Sequence, residues 1–371
     1  MGGTVPWLGV VFVALAGPPI MSGCVGQAEL RQESAGPALR RVAQIELQET
    51  DSLYLGRPRS LLRGQSGGFY VSDLFHNRVV FYDDDGRPVR VYGRPGGGPG
   101  ELRQAGKVFL FDDSTLAVSD LSRRLLNMYD VESGDFRGAR KHDGYLEDVE
   151  RVGRAVWFGV MDLERGTAVG VWLPDADSMS YRIPLPSEYR SSYVLAAMNP
   201  AAKLAVWSDT VLVGAQGLNS LRLFSADGSE LGWMDVPSRR RRGVPPDVVD
   251  RFRPRSENSH DNLFSFSSKL MALHRQPAGS LVLVHGDLEI RSRGVHGDFY
   301  VSLVTSDRQR ACVDTRVPAF FDDPQPRFAF AADTMFVLAQ DIDGERVRTR
   351  ITGYLLDGSS CDWLGVASGG S

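Results

Sequence analysis

Part of this chain is written twice, and that repetition limits the fold more than any other feature. Val71-Ser72-Asp73-Leu74, followed by Phe81-Tyr82-Asp83, returns as Val118-Ser119-Asp120-Leu121, followed by Met128-Tyr129-Asp130, with every position displaced by 47 residues. About three periods after the first copy, Val213 stands for Val71, Phe224 for Tyr82 and Asp227-Gly228 for Asp85-Gly86. A unit of this length holds one four-stranded sheet, and such sheets bury their faces by packing on one another as the blades of a propeller. In the first copy the strands fall near Arg59–Leu62, Phe69–Ser72, Val79–Tyr82 and Val89–Tyr92. Asp85-Gly86 lies between the last two, where a tight hairpin needs positive φ, with Asp227-Gly228 and Asp357-Gly358 as later equivalents. Dividing the chain from Arg59 to its C-terminus by the period gives about six blades. The apolar stretch Val42–Leu47 precedes the first blade and is expected to pair with the last, which removes the edges an open sheet would leave. The expectation is an all-β fold: a six-bladed β-propeller of four-stranded antiparallel blades, closed by an N-terminal strand.

The segment before the repeat reads as an export signal. Trp7–Ala16 is apolar but too short to anchor stably across a bilayer, and Met21-Ser22-Gly23 ends on Cys24. Residues 1–24 are therefore assigned to a signal peptide, 25–39 to a polar, unpatterned tether, and 40–371 to a single propeller domain with a basic insertion at about 237–262. An oxidising compartment permits Cys312 and Cys361 to pair. Both fall at the outside of the last two blades, where blades splay apart, so two separate cysteines are expected in preference to a bridge. The formal net charge of -4 gives no reason to expect nucleic acid as a partner.

The motifs of the first blade become specific in Gly68-Phe69-Tyr70-Val71-Ser72-Asp73, Asn77-Arg78-Val79-Val80-Phe81-Tyr82-Asp83 and the loop Gly93-Arg94-Pro95-Gly96-Gly97-Gly98-Pro99-Gly100-Glu101. This order resembles an NHL-type repeat, and in particular the six-bladed β-propeller lipoproteins of bacteria. Met21-Ser22-Gly23-Cys24 is similar to their lipobox, with Met21 where Leu is usual. The resemblance implies a propeller in the bacterial cell envelope, held to the membrane by lipid on Cys24, the alternative being a secreted or soluble periplasmic protein; a monomer is expected. It implies little about activity.

Candidate chemistry is sparse. Propeller connections between blades share one face with the turns joining second and third strands, so Asp73, His76, Asn77, Glu101, Asp120 and Arg123, together with His285, form a candidate ligand mouth. Asp73 and Asp120 have a competing, structural role as turn caps. The glycine loop lacks the Lys-Ser/Thr and following helix of a phosphate cradle, and Ser66 in Gly64-Gln65-Ser66-Gly67-Gly68 lies between strands, unlike a nucleophile elbow. Asp83-Asp84-Asp85-Gly86 and Asp341-Ile342-Asp343-Gly344 read as tight turns. His274, His285, Asp287, Glu289 and His296 lack tight ligand spacing, so no metal and no cofactor are expected. Arg239, Arg240, Arg241, Arg242 and Arg251 form a basic patch suited to an anionic partner, with a short helix expected from Pro245. The reading is a non-enzymatic binding scaffold for an envelope protein, peptide or glycan. The competing one is a metal-assisted hydrolase or lyase at the central mouth, drawing on Asp73, His76, Asp120, His274 and His285.

Overall fold

A computed structural model describes residues 35–370 apart from 145, 163, 174–175, 177, 192–201, 208, 246–266, 292–293, 319–325 and 344–345. Ser34–Ser371 is one compact unit. Six sheets of four principal strands follow one another along it, each with its first strand innermost. Blade 1 runs Pro58–Arg63, Phe69–Asp73, Arg78–Tyr82, Pro88–Tyr92, within one or two residues of the sequence expectation. The inner strands of blades 2 to 6 are Ala105–Leu110, Asp148–Val152, Ala202–Trp207, Lys269–Arg275 and Arg327–Ala331. All sheets of these blades pair antiparallel, as consecutive hairpins require.

Burial explains why the second strands carry the repeat. Phe69–Asp73 and Thr115–Asp120 are buried at every position because a neighbouring blade covers each face. The outer strand Phe136–Lys141 alternates between half-buried and exposed. Apolar side chains gather in six clusters, one at each blade-to-blade interface. Between blades 1 and 2, for example, Tyr70, Val79 and Tyr92 meet Val108, Leu116 and Tyr129. Gly86 and Gly228 adopt φ of 78° and 98° in their hairpins, conformations that residues with a Cβ disfavour.

The ring closes through Ala38–Glu46, which takes the outermost place in blade 6 beside Arg346–Asp357. That arrangement changes three expectations. Asp357-Gly358 does not turn into a fourth strand, because the N-terminal strand already occupies that position. The chain instead runs around the rim, adding Leu364–Gly365 to the outer edge of blade 5 and Ala367–Gly369 to that of blade 4. The tether also ends earlier than residue 39: Ala35 accepts from Asp362 N at 2.9 Å, and Pro37 O accepts from Thr315 Oγ1 at 2.7 Å. Finally, Cys312 and Cys361 form a disulfide with Cα atoms 5.6 Å apart. The two cysteines meet because Cys361 lies on the rim segment, crossing directly over the outer strand of blade 5, and not in a splayed strand of blade 6.

Candidate functional site

The loop face holds most of the predicted mouth. Buried Asp73 accepts from Gly56 N at 3.0 Å, Arg57 N at 2.9 Å and Phe75 N at 3.1 Å, and pairs with His76 Nδ1 at 2.5 Å. Asp120 repeats the arrangement one blade on, accepting from Arg103 N at 2.9 Å and from Ser122 N and Oγ at 3.2 and 2.9 Å. Each carboxylate ties a blade's entry segment to its own hairpin, so its lone pairs are occupied by the fold. Asn77 turns the hairpin at φ 51° and accepts from Ala105 N. Glu101 accepts from Gly98 N at 2.7 Å and from Arg94 Nε at 3.0 Å, and these bonds hold its carboxyl below the usual range. Arg123 donates to Glu101 O at 3.5 Å. His76 is packed edge-on against Tyr54 and Phe75, ring centroids 4.5 and 4.8 Å away.

The remaining predicted residues lie apart from that group. His285 is fully buried in blade 5, stacked on Tyr300, and burial pulls its pKa down to about 3, so it is a neutral packing residue at physiological pH. The arginine run folds over blade 5 around Asp314, which accepts from Arg239 N at 2.6 Å and from Ser238 Oγ at 2.7 Å. Buried Arg241 donates to Val236 O at 2.9 Å, and Arg242 pairs with Asp287 at 3.3 Å. Arg240 lies over the Tyr300 ring at 5.8 Å. Cys24, Arg251, the expected helix from Pro245 and the side chains of Glu289 and His296 fall outside the described residues. Among the described residues, no three His, Cys, Asp or Glu side chains converge as a metal cage would require.

Sequence reasoning missed the most highly charged feature, which lies on the propeller axis. Inner strands bring Arg59, Lys107, Lys203, Lys269 and Arg327 from five blades to line one axial cavity, with Glu147 from the remaining blade. The cavity volume is about 80 Å³, room for several waters or a small polyatomic ion. Leu121, Leu146 and Pro326 form part of its wall, so it opens on the loop face. Glu147 pairs with Arg59 at 3.0 Å and with Lys203 at 3.9 Å; burial opposes its ionisation, but Lys203 and Arg59 outweigh that and hold its pKa down. Lys107 pairs with Asp148 at 3.2 Å, and Asp148 also accepts from Leu204 N at 3.0 Å. Burial lowers the pKa of Lys203 and pulls Lys269 down to about 8. Lys269 has no hydrogen-bond or ion-pair partner among the described residues.

Below the ring the channel changes character. Glu150 points into it two residues after Asp148, and burial reinforced by the Asp148 charge pushes its pKa up to about 8. Glu150 and His274 line a second opening at the far end, with Val206 and Ala332. His274 donates from Nε2 to Ala332 O at 3.2 Å and stacks on Phe330 at 4.5 Å, and burial lowers its pKa. Near neutral pH the lower level thus holds a protonated Glu150 and a neutral His274, with Arg151 and Arg275 lining the same opening.

Residues 31–165 match the family model of DUF5128, described as a 6-bladed beta-propeller. A solved member of the DUF4221 family from Bacteroides vulgatus is 10% identical, covers 88% of this chain and 99% of its own, and superposes with a TM-score of 0.62. The chain thus has the six-bladed β-propeller fold. A Bacteroides fragilis propeller named for its expected export gives 11% identity, coverage of 86% and 95%, and a TM-score of 0.57. A streptogramin B lyase gives 12%, 85% and 98%, and 0.50. At such identities the likeness concerns the propeller fold and not its chemistry. A comparison with curated proteins finds no match.

Proposed function

We propose that this propeller is an exported, lipid-anchored binding scaffold that takes an envelope protein, peptide or glycan at its axial mouth. The observation that carries the reading is the charged cavity itself. It opens on the face where the inter-blade connections and hairpins meet, and its basic residues come from inner strands whose neighbours are apolar. Charged side chains are costly to bury and cluster where a site uses them. The candidate mouth residues Asp73, Asn77, Glu101, Asp120 and Arg123 serve that site by fixing its rim, while the Arg239–Arg242 run offers a second, peripheral contact for an anionic partner. Export is supported by the N-terminal apolar segment and by the disulfide, which suits an oxidising compartment.

Two measurements test this. A photoreactive amino acid at Leu121, on the cavity wall, should capture a ligand in the native envelope that mass spectrometry maps to the mouth, whereas one at exposed Val89 on the rim should not. Equal capture from both positions, or none from Leu121, overturns the binding reading. For the anchor, Cys24→Ala should move the protein from the membrane to the soluble fraction; full membrane retention defeats lipidation at that residue.

A further inference from the structure

We infer that the axial cavity is an oxyanion site, seating a phosphate-type group among Lys203, Lys269 and Arg327 beside the Glu147–Arg59 pair. The inference rests on the binding reading above and names the chemistry that the mouth selects. Of the side chains lining the cavity, five are basic and only Glu147 is acidic. Glu147 shows that an oxygen anion is accommodated at this level, since its carboxylate is held by Arg59 at 3.0 Å and approached by Lys203 at 3.9 Å. A planar carboxylate therefore has its place already.

The other basic side chains are arranged differently. Lys203, Lys269 and Arg327 stand at the first or second position of the inner strands of blades 4, 5 and 6, three successive directions around the axis. Donors converging from three directions suit a tetrahedral oxyanion better than a flat one. Lys269, whose ammonium lacks a partner among the described residues, is the group that gains most from such a ligand. The cavity volume of about 80 Å³ accommodates one such group with a few waters, so a larger ligand would insert its charged end.

The test is calorimetric titration of the mature protein with inorganic phosphate in low-salt buffer, beside glycerol 3-phosphate. Phosphate should bind, and Lys269→Gln should weaken it about tenfold or more, with Lys269→Arg retaining most of the affinity. Glu147→Gln should strengthen binding about tenfold, because Arg59 and Lys203 lose their internal carboxylate. Arg87→Gln, which removes an exposed charge from a peripheral hairpin of blade 1, should leave it unchanged. Tighter binding of the ester identifies a phosphate borne by a larger molecule; tighter binding of the free ion identifies phosphate itself. No binding at millimolar concentrations, no effect of Lys269→Gln in a folded variant, or equal loss in the peripheral variant overturns the site. Failure here with successful capture at Leu121 removes only the oxyanion chemistry, whereas phosphate binding without capture removes the scaffold reading.

Discussion

At the scale of single residues, the axis sets up an opposition that pH can expose. Glu150 has an ordinary pKa of 4.5 when solvated and about 8 in the fold, so the native state keeps its proton over a range where the unfolded chain has lost it. Between those values the native state binds more protons, and stability must fall as pH rises. Glu150→Gln should therefore flatten the decline between about pH 4.5 and 8 and match or exceed the wild-type protein above it, as measured by urea unfolding across that range. Parallel curves for the two proteins would show that Glu150 ionises freely. The sequence hid this residue and the basic ring for one reason. Arg59, Lys107, Lys203, Lys269 and Arg327 each stand near the start of an inner strand, and the inner strands are where the repeat is least regular. The available signal was a basic residue opening an otherwise apolar strand, seen in Ala202-Lys203-Leu204-Ala205-Val206. By contrast, Asp73 and Asp120 were conspicuous because the fold needs them as caps, which is why the most legible residues are not the ones facing the cavity.

Among the structural elements, the rim segment was the least predictable and carries the strongest covalent constraint. Strands of blade 1 could be read to within a residue or two because alternation, turn glycines and the repeat agreed there. Residues 358–370 offered no such pattern: a two-residue and a three-residue strand are too short for periodicity to register. Their position is fixed by tertiary contacts instead, with Cys361 bonded to Cys312 and Asp362 exchanging hydrogen bonds with Ala35 at 2.8 and 2.9 Å. The disulfide closes a loop of sequence separation 49, for which the chain-entropy model gives about 4 kcal/mol of stabilisation as an upper figure. Cys312→Ser/Cys361→Ser should lower the denaturant midpoint accordingly. Reductant should bring the wild-type protein to the same midpoint and leave the double variant unmoved. A wild-type midpoint insensitive to complete reduction, verified by thiol counting, would refute a stabilising role for the bridge.

For the whole molecule, the decisive element is the one that joins the two ends of the ring. A propeller is a chain of neighbour interfaces, so its last blade needs a partner that the repeat itself cannot provide. Ala38–Glu46 supplies it, pairing with Arg350–Asp357 from Glu46↔Arg350 to Ala38↔Asp357 and placing Ile45 against the blade 6 to blade 1 core. The closure also reaches Leu47, which is buried and donates to Thr349 O at 2.9 Å, and Gln48, which donates to Gly86 O at 2.8 Å. Without these residues blade 6 would present Arg346–Asp357, a strand of 12 residues, as an unpaired edge. A chain beginning at Ala35 should therefore unfold cooperatively and stay monodisperse, whereas one beginning at Glu49 should melt at lower temperature and self-associate through the bared edge. Light scattering alongside thermal unfolding distinguishes the two outcomes. If the shorter chain remained monodisperse with an unchanged midpoint, closure by the N-terminal strand would be incidental, and the axial geometry, which depends on all six inner strands converging, would have to be held by the inter-blade cores alone.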